Sequence, residues 1–132
     1  MDLIFGGAYQ GKTEYAKKAF KLKDGDIYAC GEEGNLSEAL KKGGRRIKAV
    51  DNLENFVWLC QKAGIEARDY IEACEGLLRD KVIIMADVSQ GIVPMDEDER
   101  GWREMMGRTM IYLARNSKTV TRIFCGLPQK IK

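Results

Sequence analysis

One octapeptide constrains this chain more than any other feature. Gly6-Gly7-Ala8-Tyr9-Gln10-Gly11-Lys12-Thr13 satisfies the spacing G-x-x-x-x-G-K-[ST] in full, a pattern that belongs to a turn between a strand and a helix. Both neighbours are present. Asp2 to Phe5 is a short strand-like run, and from Lys12 the residues Ala16, Ala19 and Phe20 recur at helical spacing, ending near Lys23. Glycines let backbone N–H groups converge on an anion without side-chain obstruction, and the helix N-terminus adds the positive end of its dipole. In such a phosphate-binding loop, or P-loop, the lysine (Lys12) reaches the β- and γ-phosphates and the following hydroxyl (Thr13) reaches Mg²⁺. The bland alternative is a Gly-rich turn that caps a helix and binds nothing. A chance match in a chain of 132 residues is on the order of one in two hundred from average residue frequencies. Gly6 through Thr13 are therefore the nucleotide-binding candidates, and ATP or GTP with Mg²⁺ the expected ligands.

A loop of this kind needs a carboxylate at the end of a neighbouring strand. Two runs offer one: Ile47 to Asp51 (IKAVD) and Lys81 to Asp87 (KVIIMAD). Asp51 is the candidate for the metal shell together with Thr13. Asp also caps helices, and Asp51 precedes an obvious helix carrying Leu53, Phe56, Val57 and Cys60 on one face, so a capping role stays open. Asp87 has the same two readings; as a functional group it would orient an attacking hydroxyl.

The rest of the chain alternates strand and helix. Asp26 to Cys30 reads as a second strand, Glu38 to Lys42 as a short helix capped by Asn35 or Ser37 and stopped by Gly43-Gly44. Gly64 stops the helix after Asp51, and Ala67 to Leu78 forms another amphipathic stripe. Asp96 with Glu99 begins a long helix through Trp102, Met105, Met106, Met110 and Leu113; Thr119 to Cys125 is the last strand. The Met and aromatic stripes read as core. Strands that are apolar throughout, alternating with helices, imply an α/β domain with a mostly parallel sheet covered on both faces, a single domain over residues 1–132.

Composition removes several classes. Lys and Arg number 22 against 20 Asp and Glu, which argues against a general nucleic-acid binder. No apolar run approaches the roughly 18 residues of a membrane helix, and the N-terminus lacks the basic and long apolar regions of a signal peptide, so a cytoplasmic protein is expected. Cys30, Cys60, Cys74 and Cys125 include no C-x-x-C pair and read as reduced, mostly buried small hydrophobes. There is no histidine, which excludes Ser-His and Cys-His pairs, His-ligated metal and a nucleotidyl-histidine intermediate.

The second half carries a resemblance. Ala86-Asp87-Val88-Ser89-Gln90-Gly91-Ile92-Val93-Pro94 resembles the S-N-E-V-G-x-G-[IV]-V-P segment of the bifunctional adenosylcobinamide kinase / adenosylcobinamide-phosphate guanylyltransferase family of cobalamin assembly. Arg100, Gly107 and Arg108 fall in the register of its R-x-[FW]-R-x-x-x-G-R helix, and Gly126-Leu127-Pro128 with Lys130 and Lys132 is similar to its closing G-L-P-x-x-x-K. Val50-Asp51-Asn52-Leu53 resembles its V-D-C-L Walker-B element, and the G-G-A opening of the loop is also the family's. The resemblance implies a P-loop NTPase (RecA-like) three-layer fold, Mg²⁺, ATP or GTP as co-substrate, a small-molecule acceptor, neither nucleic acid nor membrane, and a homotrimer. It also implies Lys12 and Asp87 as catalytic groups. The departures matter equally. The family's Glu is Asp87, its Asn is Ala86 and its first Gly is Ser89. Family members carry an insert whose histidine takes up GMP from GTP; here only Gly34 to Arg46 remains, with no histidine. The resemblance thus implies a kinase acting on adenosylcobinamide or a related alcohol without the guanylyl-enzyme step. The alternative is a catalytically reduced nucleotide-binding relative with a regulatory or assembly role.

Overall fold

In the computed structural model, residues 1–31, 34–88 and 96–132 are described. They form a six-stranded sheet in the order β2-β3-β4-β1-β5-β6. The strands are β1 (Asp2–Gly6), β2 (Ile27–Ala29), β3 (Ala49–Asp51), β4 (Val82–Ala86), β5 (Thr119–Phe124) and β6 (Leu127–Lys130). The first five are mutually parallel, and β6 returns antiparallel to β5. The helices are α1 (Lys12–Phe20), α2 (Leu36–Gly43), α3 (Leu53–Ala63), α4 (Ala67–Ala73), α5 (Glu75–Leu78) and α6 (Glu97–Asn116).

The strand residues divide by parity into two cores, because successive side chains of a strand point to opposite faces. Leu3, Val50, Ile83, Met85 and Val120 pack with Phe56 and Val57 of α3, Ile71 of α4 and Met106 and Leu113 of α6. On the other face Ile4, Ala49, Ile84 and Ile123 pack with Ala16 of α1. This is a three-layer α/β arrangement, and both faces being covered explains why these strands are apolar throughout. Met105 and Met106 are buried in the first of these cores.

Local signals account for most element ends. Asn35 caps α2 by accepting the Glu38 N–H at 3.1 Å. Gly64 ends α3 at φ 70°, a left-handed position where glycine costs least. Asp96 caps α6 by accepting the Asp98 N–H at 2.8 Å. Three features differ from expectation. The helix α1 stops at Phe20, where Lys21 turns left-handed (φ 54°). The stripe over Ala67 to Leu78 is two helices, broken at Cys74. The chain after Cys125 forms a further strand, β6, which carries Pro128 and is exposed along its length. Proline lacks the donor an interior strand needs and is tolerated on an edge. Its hairpin turn, Cys125-Gly126, has φ 52° and 75°, the double left-handed backbone of a type I′ turn. Among the described residues no helix is long and apolar enough to cross a membrane. Cys30, Cys60 and Cys74 are buried free thiols and Cys125 is an exposed one.

Candidate nucleotide site

In parallel α/β sheets, ligands gather beyond the carboxyl ends of the strands. Gly6, Asp51 and Ala86 close β1, β3 and β4 at that edge. The segment from Gly7 to Gly11 joins β1 to α1, and Gly11 takes φ 88° with no side chain capping the helix. The first-turn N–H groups of α1 are thus left without a side-chain cap, the condition for anion binding at a helix start. The loop is anchored from the side. Gln10 accepts the Gly126 N–H on its carbonyl at 2.9 Å and the Cys125 N–H on its side-chain oxygen, tying the loop to the β5–β6 turn. Tyr9, at the apex, is fully exposed with φ 59°.

The chemical groups meet across β4. The Thr13 hydroxyl donates to Asp51 Oδ2 at 2.7 Å, and Asp51 Oδ1 accepts the Asn52 N–H at 2.7 Å. Asn52, not Asp51, holds the N-cap position of α3, so the buried Asp51 carboxylate faces the loop and leaves the helix uncapped by a side chain. Lys12 Nζ donates to the Gly7 carbonyl at 2.8 Å, folded over its own loop. A hydroxyl and a carboxylate in contact, both hard oxygen donors, fit the coordination habits of Mg²⁺.

A cavity of about 390 Å³ opens on these groups, with Gly11, Lys12, Thr13, Asp51, Glu54 and Ala86 in its wall, and Ala8, Tyr9, Glu14 and Asn52 around them. Gly6, Gly7 and Gln10 do not line it. Asp87 is not in the wall either. Its backbone N–H donates to the Gly6 carbonyl at 2.7 Å, which fixes the end of β4 against the end of β1. The segment Ser89 to Pro94, which carries the most distinctive part of the resemblance, lies outside the described residues.

Glu54 is the group that sequence reading passed over. It sits in the first turn of α3, three residues after Asp51, and its Oε1 accepts the Ala86 N–H at 3.0 Å. Its own carbonyl accepts the Trp102 indole N–H at 3.0 Å. Beneath, burial, then the charges of Glu54 and Asp51, push the Cys30 thiol up to about 12, so it is no nucleophile at neutral pH. A larger hollow, about 540 Å³, lies at the opposite end of the sheet beside Lys81. There the Lys81 ammonium is spent on the Gly44 and Ile47 carbonyls, with no loop of the phosphate-binding kind.

Residues 32–131, 100 of the 132, match the family described as cobinamide kinase / cobinamide phosphate guanyltransferase. That match begins after the P-loop, so the loop and the family match are separate observations that agree. Comparison with curated proteins finds no match. With the match covering most of the chain and the sheet, loop and opposed Asp51 arranged as described, the chain belongs to the cobinamide kinase / cobinamide phosphate guanyltransferase family.

Proposed function

We propose that this protein binds a Mg²⁺–nucleoside triphosphate and transfers its γ-phosphoryl group to adenosylcobinamide or a related alcohol in cobalamin biosynthesis. The observation that carries the reading is the contact between Thr13 and Asp51 at the mouth of a complete P-loop, facing a cavity. Phosphoryl transfer asks mainly for positioning and charge neutralisation. The loop N–H groups from Ala8 to Thr13 would cradle the phosphates. Lys12 would exchange the Gly7 carbonyl for the β- and γ-phosphate oxygens. Thr13 and Asp51 would hold Mg²⁺, which when bound supplies charge neutralisation across those oxygens. For the acceptor hydroxyl the sequence offers Asp87, one residue past the cavity wall at Ala86.

The family's second activity is a different matter. With no histidine in the chain, the reading does not include a guanylyl-enzyme step. A reduced, nucleotide-binding relative is the second reading, and the replacements Asp87 and Ala86 favour it. Assembly as a homotrimer and a cytoplasmic location go with the kinase reading by resemblance.

The test is isothermal titration with ATP and GTP, with and without Mg²⁺, followed by turnover with adenosylcobinamide. Lys12→Ala should remove Mg-nucleotide binding and leave the thermal transition in place, because Lys12 lies at a half-buried loop–helix junction. Unchanged heats in that variant would sink the site. Binding without turnover would select the second reading.

A further inference from the structure

Phosphoryl transfer to an alcohol leaves one proton to be placed, and the wall of the cavity holds the carboxylate-bearing residue Glu54. Glu54 is half-buried. Its backbone is pinned by Trp102, and Trp102 is itself packed edge-on against Trp58 at 5.7 Å. One carboxylate oxygen is fixed by the Ala86 N–H; the other takes no hydrogen bond from any described residue. Of the other ionisable and hydroxyl groups of the wall, Thr13 is bonded to Asp51, Asp51 also to the Asn52 N–H, Lys12 to the loop, and the exposed Glu14 carboxylate is paired with Lys17 at 3.6 Å. A cavity-lining carboxylate with one oxygen held by a backbone N–H, and the other without a hydrogen bond among the described residues, has the form of a general base.

Resting on the kinase reading, we infer that Glu54, rather than Asp87, is the catalytic residue that receives the acceptor's proton. The acceptor oxygen forms its bond to the γ-phosphorus. The bond from that phosphorus to the β,γ-bridging oxygen breaks, and the electron pair leaves with the nucleoside diphosphate. The hydroxyl proton passes to the open oxygen of Glu54 and then to water. Alcohol and triphosphate become phosphate ester, diphosphate and a proton. Water in the acceptor's place gives slow hydrolysis by the same route. Asp87 stays at the β1–β4 junction, where its backbone bond to Gly6 holds the loop's root.

A structural role for Glu54, closing the Ala86 N–H, needs only an acceptor oxygen. Glu54→Gln retains that oxygen and removes the basic one, which separates the two roles. The experiment measures transfer from γ-labelled triphosphate to adenosylcobinamide and to water, for wild type, Glu54→Gln and Asp87→Asn. Mg-nucleotide affinity comes from titration and folding from thermal melts. Glu54→Gln should lower kcat by about 10²–10⁴-fold, the usual reach of general-base catalysis, with affinity and melting temperature unchanged. Glu54→Gln turning over normally, or Asp87→Asn alone losing turnover, overturns the assignment. A Glu54→Gln variant that loses Mg²⁺-dependent affinity also overturns it, since that places Glu54 in the metal shell. Wild type that binds nucleotide and transfers to neither acceptor overturns it while leaving nucleotide binding intact. Wild type that binds no nucleotide overturns the kinase reading itself.

Discussion

Substituting Gly6 by alanine should damage the fold and the loop together. Gly6 pairs with Ala86 on one side and Ile123 on the other. A Cβ built there lies 2.4 Å from the Ile123 carbonyl oxygen. Ordinary contact begins near 3.4 Å, so backbone must give by about an ångström, and neither partner is a flexible side-chain tip. Overpacking of this kind costs about 1–3 kcal/mol; because β1 and β5 are both hydrogen-bonded, the upper part of that range applies. Alanine recovers about 0.4–1 kcal/mol through the unfolded chain. The net loss is about 2 kcal/mol, which for a chain of this size lowers Tm by roughly 5–12 °C. Gly107 is the control. It lies inside α6 with nothing within 4 Å of the added carbon, so Gly107→Ala should gain about 1 kcal/mol. Melting curves by circular dichroism read both changes, and nucleotide titration reads the loop, which should weaken in Gly6→Ala because Gly6 also receives the Asp87 N–H. A Gly6→Ala protein that melts at or above the wild-type temperature would refute the close-approach argument.

Asp51→Asn should weaken Mg²⁺-dependent nucleotide binding by at least about 10–100-fold, the loss already typical of removing only a ligand's hydrogen-bond partner, and Mg²⁺-free binding much less; equal losses by calorimetry would remove Asp51 from the metal site. Thiol titration at pH 8 should find one reactive cysteine, Cys125, before denaturation and four after it, since Cys30, Cys60 and Cys74 are buried. Burial holds the Cys30 and Cys60 thiols near 12 and 11 against an ordinary 9.0. Above about pH 9 the unfolded chain therefore releases those protons first, and their contribution to stability declines as pH rises toward 11–12. Incubation with GTP followed by intact-mass spectrometry should show no GMP adduct, because no imidazole is available to carry it.

How much was legible in the sequence follows from what kind of signal each part leaves. The strand, loop and first helix are legible because the G-x-x-x-x-G-K-[ST] spacing and its strand and helix neighbours are all local in the chain. The caps at Asn35, Gly64 and Asp96 are legible for the same reason: each acts within four residues of itself. β6 left no such trace. Leu127, Pro128, Gln129 and Lys130 have no buried face to pattern them, so their strand state comes from pairing with β5 alone. The break at Cys74 is hidden because the apolar spacing of α4 continues into α5. Glu54 escaped for a tertiary reason. On its own helix it is an ordinary first-turn acid, favourable near the dipole; its significance arises only when α3 lies across the end of β4 and offers it the Ala86 N–H.

The backbone itself marks the same corner. Among the described residues, four that are not glycine have positive φ: Tyr9, Lys21, Asn52 and Cys125. Lys21 ends a helix, a common setting for that conformation. The other three surround the cavity or its anchor. Tyr9 is the loop apex, Asn52 follows Asp51, and Cys125 donates its N–H to Gln10. Each such residue costs on the order of 1–3 kcal/mol when side chain and backbone disagree, less for asparagine. A fold does not keep three of them at one edge unless the surrounding contacts over-determine them. Here they do: Gly126 and Cys125 hold Gln10, Asp51 holds the Asn52 N–H, and Thr13 holds Asp51. Turning left-handed at Asn52 lets the Asp51 carboxylate face the loop while α3 departs, and so places Glu54 over the end of β4. The strained residues and the candidate chemical groups are therefore one construction, in which local cost secures the relative placement of Lys12, Thr13, Asp51 and Glu54.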